Sequence, residues 1–488
     1  MNSKITQRSK DQGLVKQSLS AHSVIGLTVG ALMYLICLTG TLAVFMKTFE
    51  RWEQPEVAEF LHYDAVTVKT AWQAFIENAE EPPHSLYAIL PTDDMPRMQV
   101  SGDGKSWYLQ ADGSIGDQPR HEWSEMLEEL HINLHLPTTI GLVIVSACGA
   151  MLLALIVSGI FSHPRIFKDA FKLRLGGNRH LEQADIHNRL SVWGLPFHIM
   201  IALTGAFFGL VGPLVFVAAT VFYDGDRGAL FDDVYGGDPV VDAPLQNLNV
   251  QGAFDSLAEV APEASAFYIV AQNFGQRDQF MEIAATLPGR LSYSEMYRFA
   301  ADGSYLGNQG LTNGDAARQW VYSVYRIHFG WFGGQWVKVV YLLLGFAMTV
   351  ISVSGINIWL ARRGTKDWIN DSWCGLVWGV PLSLSVSAFS SVILNVVPLP
   401  ILLITLLCSQ MYCLFAKDEK QAAIFLKKTT AFSLCILSLA YVIVYAEQRA
   451  TPLTLGMVGA FITTALILWV QPNRQVTNNR DLEIPVEN

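Results

Sequence analysis

The chain has 488 residues, of which 51% are hydrophobic and only 16% charged, and its formal net charge is −10. These proportions exclude an ordinary soluble protein of this length, because a water-exposed surface needs more charged residues. The six cysteines include no CxxC pair and fall in or beside apolar stretches, so they indicate no disulfide framework.

Eight apolar stretches are long enough to cross a bilayer, which takes about 20 apolar residues in a helix. The first four are predicted at 24–46, 137–161, 191–217 and 329–361, and four further helices are predicted within 373–470. The expected fold is therefore a polytopic α-helical membrane protein with a leader at 1–23, a loop at 162–190 and a tail at 471–488. The polar leader, with no small-residue cleavage site after the apolar stretch, predicts a retained helix and not a removed signal peptide.

Lysine and arginine concentrate in the leader, in the loop at 162–190 and in later loops on the same side of the alternating helices. Since positive loops stay in the cytoplasm, both termini are predicted to be cytoplasmic. The long segments 47–136 and 218–328 then lie outside, and they carry net charges of −11 and −8. An acidic outer surface would attract cations, although acidic residues also simply keep an exported domain soluble.

An internal repeat runs through the first 360 residues. The first helix has His22 followed seventeen residues later by Thr39-Gly40, and the third has His187 followed seventeen residues later by Thr204-Gly205. The second and fourth helices share the motif Val-Ser-Gly-Ile, at 157–160 and 353–356. Both copies start on the same side of the membrane, which predicts a parallel repeat with a pseudo-twofold axis along the membrane normal.

The two outer segments repeat as well. Each is predicted to open with a helix, to continue with a strand and to end with two strands joined by an Asp-Gly turn. In the first copy these elements are at 66–75, 85–90 and 107–117, and in the second they are at 248–257, 266–271 and 297–308. This pattern predicts one α+β domain in each outer segment.

Each outer segment ends in a histidine just before the next helix, His131 in the first copy and His328 in the second. The axis sets His22 against His187 at the inner end of a four-helix bundle, and His131 against His328 at the outer end. Two histidines from facing helices commonly hold haem iron in a bundle, and ionisable residues at membrane helices tend to mark function. Imidazole also binds copper and zinc. The pattern therefore predicts two metal sites and favours haem, but it does not identify the metal.

Two other histidines are alternative ligands. His135 lies four residues beyond the outer histidine of the first copy and could replace it. His198 lies eleven residues beyond the inner histidine of the second copy and could hold a haem deeper in the membrane, where the first copy has Met33. Arg189 and Arg326, each two residues from a predicted ligand, could bind haem propionates or lie at the interface as ordinary snorkelling residues.

Several long runs resemble the PepSY-associated transmembrane proteins, and the outer segments resemble PepSY domains. The runs are ELHINLHLPTTIG at 129–141, FSHPRIFKDAFKLR at 161–174, ADIHNRLSVWGLPFHIMIALTG at 184–205, YRIHFGWFGGQWVK at 325–338 and GINIWLARR at 355–363. The resemblance covers about residues 15–365. It is a resemblance to iron-regulated inner-membrane proteins of Gram-negative bacteria, a family that includes dihaem ferric-siderophore reductases.

The resemblance implies a dihaem b-type cytochrome of the bacterial inner membrane with two periplasmic PepSY-like domains. An inner haem would take electrons from quinol or a cytoplasmic reductase, and an outer haem would pass them to ferric iron or a ferric siderophore for iron uptake. The sequence has no GxGxxG motif and no evident flavin or nicotinamide domain, so the donor must be a partner or a lipid-soluble carrier. No nucleic-acid partner is expected, and the four helices within 373–470 are expected to pack on the bundle or to mediate a homodimer.

Two other functions compete with the reductase. One is a haem-free transporter of iron or siderophore. This reading is disfavoured because the sequence lacks the intramembrane acidic residues that would carry a proton or metal. The other is a regulatory protein whose PepSY domains bind a periplasmic partner, which leaves the paired histidines unexplained.

Overall fold

The computed structural model describes residues 2–171, 179–241, 244–416 and 418–470, with side chains described from residue 13 onward except at 179. The predicted tail at 471–488 and residues 172–178 of the predicted loop lie outside the described residues. In chain order the helices are α1 (Asn2–Ala43), α2 (Met46–Glu53), α3 (Ala65–Asn78), α4 (Glu122–Ile132), α5 (Thr138–Ser162), α6 (Ile166–Asp169), α7 (Arg179–Trp193), α8 (Leu195–Phe222), α9 (Arg227–Tyr235), α10 (Val250–Val260), α11 (Ala316–Phe329), α12 (Gly334–Arg363), α13 (Trp368–Leu394), α14 (Pro398–Phe415), α15 (Glu419–Val444) and α16 (Pro452–Trp469). The strands are β1 (Leu86–Ile89), β2 (Gln99–Gly102), β3 (Lys105–Tyr108), β4 (Ser265–Gln272), β5 (Phe280–Thr286), β6 (Glu295–Ala300) and β7 (Tyr305–Asn308).

Eight of the described helices are long and apolar enough to cross a membrane, which confirms a multi-pass membrane protein. They are α5, α8, α12, α13, α14, α15, α16 and the part of α1 from Gly13 onward. The first helix is longer than the predicted 24–46, since α1 already begins at Asn2. Its polar first turns are helical although hydropathy alone gives them no signal.

The predicted helix at 191–217 is two helices, α7 and α8, with a break at Gly194. Pro196 follows the break, and a proline has no N–H to donate to the carbonyl four residues earlier. Regular bonding resumes with the N–H of His198, which donates to the Gly194 carbonyl at 2.9 Å. The break places His187 and His198 on different helices.

The chain forms two compact units. The helical unit contains Met1–Leu42, Met126–Ala206 and Leu342–Asn488, and the sheet unit contains Ala43–Glu125 and Phe207–Tyr341. Within the helical unit, α13 is the most deeply packed membrane helix, since 67% of its apolar 18-residue stretch is buried. It contacts α1 through the Tyr34 hydroxyl, which donates to the Val377 carbonyl at 2.7 Å, and α12 through Trp373, whose indole donates to Asn357 at 3.0 Å.

The sheet unit is built on one seven-stranded sheet in the order β3-β2-β1-β4-β5-β6-β7, and every neighbouring pair is antiparallel. The two outer segments therefore share a sheet through the β1–β4 pair, which the prediction of two separate α+β domains did not anticipate. Ala88 pairs with Ile269, and these two residues occupy the same position in the two copies of the repeat. The local twofold axis of the repeat thus passes between them.

The two copies also match in their caps and turns. The Asp64 side chain caps α3 by accepting from the Thr67 N–H, and Asn249 caps α10 by accepting from the Gly252 N–H. Both helices pack on the same apolar core of the sheet. Both predicted Asp-Gly turns are present, but the return strand of the first copy is reduced to one bridge between Leu109 and Ile115.

Candidate functional site

His22 on α1 and His187 on α7 are held by the same pattern of hydrogen bonds. The Nδ1 of His22 lies 3.0 Å from the Leu155 carbonyl and 3.2 Å from the Ser158 hydroxyl. The Nδ1 of His187 lies 3.1 Å from the Ile351 carbonyl and 3.1 Å from the Ser354 hydroxyl.

A carbonyl can only accept, so each Nδ1 carries the proton and each Nε2 presents its lone pair. A metal-ligating histidine usually donates its other ring N–H to a carbonyl or carboxylate in this way, which fixes the tautomer and the ring orientation. Ser158 and Ser354 bond to the two candidate ligands and were missed by sequence reasoning. Their motif was visible as a repeated Val-Ser-Gly-Ile, but no role followed from it.

The two imidazoles lie close together, with ring centroids 6.2 Å apart and ring planes at 88°. An ion bound by two imidazole nitrogens at about 2.0–2.1 Å each holds the ring centres roughly 6 Å apart. The separation therefore fits one metal ion shared by the pair.

Glycines make room for both rings. A Cβ at Gly159 would lie 3.2 Å from Cε1 of His22, and a Cβ at Gly355 would lie 3.4 Å from Cε1 of His187. These are the glycines of the two Val-Ser-Gly-Ile motifs. Each motif thus supplies both the hydroxyl that bonds the ring and the bare backbone beside it.

A cavity of about 410 Å³ adjoins both rings and is lined by α1, α5, α6, α7, α8 and α12. Its walls are mostly apolar, with a few polar groups among them, as in pockets that bind cofactors. His22, His187, His198, Met33 and Cys37 all line it. The structure therefore brings the predicted inner ligands and both residues of the deeper alternative into one cavity.

Burial, with the neighbouring imidazole of His22 as the second cause, lowers the pKa of His187 to about 4. The ring is then neutral at physiological pH, and the neutral imidazole is the form that binds a metal.

His131 lies in the helical unit near the end of α4, and its Nδ1 is 3.0 Å from the Ile36 carbonyl of α1. Burial lowers the pKa of this imidazole below its usual range. A Cβ at Gly40 would lie only 2.4 Å from Cε1 of His131, so the repeated Thr-Gly pair leaves the space that this ring occupies.

His328 lies in the sheet unit and is the penultimate residue of α11, which is capped by Gly330 in the left-handed conformation. Its ring packs against Phe208 at 5.3 Å and Phe329 at 5.7 Å between centroids. The pairing of His131 with His328 at one metal remains a prediction.

His131 and His135 differ in their surroundings, and the choice between them as the ligand of the first copy remains a prediction. The helix α4 ends at Ile132, and His135 adopts a positive φ of 53° beyond it, so the two histidines do not share a helix face. The Nε2 of His135 lies 2.9 Å from the Met126 carbonyl and its Nδ1 lies 2.9 Å from the Glu129 carboxylate. Both ring nitrogens are therefore already occupied.

The two arginines beside the predicted ligands bond to the backbone. Arg189 donates to the carbonyls of Ala170 and Phe171 at 3.2 and 3.0 Å and stacks on Trp193. Arg326 donates to the carbonyls of Trp331 and Arg290 at 2.6 and 2.7 Å. These contacts give both arginines a structural role that needs no propionate.

A family model described as the PepSY-associated TM region matches residues 19–362. This match confirms the resemblance that the sequence motifs carried. An uncharacterized protein of Pseudomonas aeruginosa is 26% identical over 252 residues, which cover 49% of this chain. The aligned region spans 64% of the length of that relative.

Proposed function

This chain belongs to the PepSY-associated transmembrane family, and we propose that it is a dihaem b-type cytochrome that carries electrons across the bacterial inner membrane to ferric iron or a ferric siderophore. The observation that carries the proposal is the inner histidine pair. Two neutral imidazoles from different helices have their Nδ1 atoms fixed by equivalent bonds, and their ring centres are 6.2 Å apart beside one cavity.

The residues around the inner pair fit a haem. His22 and His187 would hold the iron, and the apolar walls of the cavity would exclude water from the cofactor. A haem supplies one-electron transfer between ferric and ferrous iron. Because each Nδ1–H bonds to a carbonyl, each Nε2 is a stronger electron-pair donor to the metal. This would favour the ferric state and influence the midpoint potential of the haem.

His131 and His328 are the proposed ligands of the outer haem. His131 has the same anchoring as the inner ligands, since its Nδ1 faces a helix carbonyl. Electrons would enter from quinol or a cytoplasmic reductase, and the reduced iron product would be released for uptake because ferrous iron binds hard oxygen ligands more weakly. The basic loops predict that both termini are cytoplasmic and that the acidic sheet unit faces the periplasm.

The first test is the visible spectrum of the detergent-purified protein before and after dithionite, together with its haem content. We expect two haems per chain and a sharpened α-band on reduction. A preparation expressed with sufficient haem that shows no Soret band would rule out the proposal.

The second test assigns the ligands. His22→Ala and His187→Ala should each lose the same haem, and His131→Ala and His328→Ala should each lose the other. The exposed His62→Ala is the matched control and should retain both. Reduction of a ferric chelate, followed with a chromogenic ferrous chelator, should fall in all four ligand variants and not in the control.

A further inference from the structure

The helix α13 is the first helix beyond the family match, which ends at residue 362. It belongs to the same compact unit as the inner histidine pair. Two of its residues, Trp373 and Val377, lie one turn apart and hydrogen bond to helices within the family match. These contacts indicate what the four additional helices contribute to the protein.

The contact with α1 follows from a proline inside α13. Pro381 has no N–H, so the carbonyl of Val377, four residues earlier, lacks its partner within the helix. Among membrane helices such a carbonyl needs a donor from a neighbouring helix, since no water is at hand to replace the lost bond. The buried hydroxyl of Tyr34 supplies that donor at 2.7 Å, and its ring meets the ring of Trp373 edge-on at 6.0 Å between centroids.

The contact with α12 continues to α7. The indole of Trp373 can only donate, so its bond of 3.0 Å to Asn357 turns the side-chain oxygen of Asn357 toward α13. The amide nitrogen of Asn357 is then free to donate to the side-chain oxygen of Gln183, at 3.3 Å. Gln183 lies on α7, one turn before His187. One hydrogen-bonded chain thus runs from α13 to the helix of a predicted haem ligand.

The first copy of the repeat cannot form this chain. Asn357 follows the motif Val-Ser-Gly-Ile directly, and the residue that follows the same motif in the first copy is Phe161. Gln183 lies four residues before its histidine, where the first copy has Ser18. A phenylalanine side chain has neither a donor nor an acceptor for such a bond. The chain therefore belongs to the second copy alone and ends on a helix outside the repeat.

We infer that α13 positions the inner histidine pair, with Trp373 and Asn357 as positioning residues, an inference that rests on the proposed function where haem is concerned. The ring of His187 is bonded to α12 at one point of α7. The bond between Asn357 and Gln183 adds a second point one turn away, which restrains rotation of α7 about the first. The angle of 88° between the two imidazole planes is thereby held.

The test combines hydrogen–deuterium exchange of α7 with electron paramagnetic resonance of the ferric protein. Trp373→Phe removes the indole donor and keeps an aromatic ring. We expect amide exchange in α7 to become about two- to tenfold faster. We also expect both haems to remain and the largest g value of the inner haem to shift, because that value depends on the angle between the ligand rings. The matched control Trp378→Phe changes α13 where it packs on Lys427 and should alter neither readout.

A second variant tests the far end of the chain. Gln183→Met removes the acceptor and leaves α13 unaltered, so it should speed exchange in α7 to the same extent. The double variant should add nothing further, because both ends belong to one chain.

Three results would overturn the inference. They are exchange in Trp373→Phe no faster than in Trp378→Phe, additive effects in the double variant, and an unchanged largest g value while the inner haem is retained. Faster exchange of α7 in a protein that binds no haem would instead support the positioning of α7 and defeat the proposed function alone.

Discussion

The contact between Gly40 and His131 gives the sharpest test of the outer site. In Gly40→Ala the new Cβ would lie 2.4 Å from Cε1 of His131. Non-bonded carbon atoms settle at about 3.5 Å or more, so the imidazole must move by roughly 1 Å. Metal–ligand distances hold to within about 0.2 Å, so a shift of this size removes the ligand from the iron. It also stretches the 3.0 Å contact between Nδ1 and the Ile36 carbonyl beyond hydrogen-bonding range.

The assay is the ratio of haem to protein by pyridine haemochrome, which should fall from two to one in Gly40→Ala. Gly26→Ala is the matched control on the same helix, because its Cβ would lie 3.7 Å from the nearest atom, a side-chain carbon of Leu155, which is an ordinary contact. If Gly40→Ala kept two haems with unchanged midpoint potentials, His131 could not be the ligand.

Three further changes follow from contacts in the structure. Ser158→Ala removes one acceptor from the His22 Nδ1–H and should raise the midpoint potential of the inner haem by about 20–60 mV in a redox titration, the equivalent of about 0.5–1.5 kcal/mol. The control Ser162→Ala should leave this potential unchanged. A lower potential in Ser158→Ala would contradict the assigned tautomer. Arg326→Lys cannot reproduce the forked bonds to the backbone and should cost about 1.5–3 kcal/mol in thermal unfolding while haem content stays the same. Two backbone N–H groups in the first turn of α4 donate to the Glu53 carboxylate at 2.9 and 2.8 Å. Glu53→Leu leaves both without an acceptor and should lower the free energy of unfolding by about 2–4 kcal/mol in a denaturant titration. An unchanged denaturation midpoint would show that water replaces the carboxylate.

The sequence predicted the features that repeat locally and missed those that depend on distant partners. Apolar length alone identified eight membrane helices, because a bilayer imposes that length on any spanning helix. The break at Gly194 was missed although Pro196 is visible, since apolar residues continue on both sides of it. The β1–β4 pair could not be predicted, because the pattern of a strand says which face is buried and not which strand lies beside it.

The same distinction holds for the candidate site. Equal spacing in the two copies was enough to predict that His22 and His187 meet, and the structure brings them together. Sequence could not decide between His131 and His135, since the choice depends on where α4 ends and on the carbonyls that each ring meets.

The pairing of Ala88 with Ile269 has a consequence for biogenesis. These partners are 181 positions apart in the chain, so β1 is synthesised long before the strand that covers its edge exists. Until the third membrane helix has been inserted and β4 has followed it, the early segment has an open edge that other polypeptides can pair with. During translation that edge is therefore the place at which the nascent amino-terminal half can pair with another polypeptide before β4 protects it.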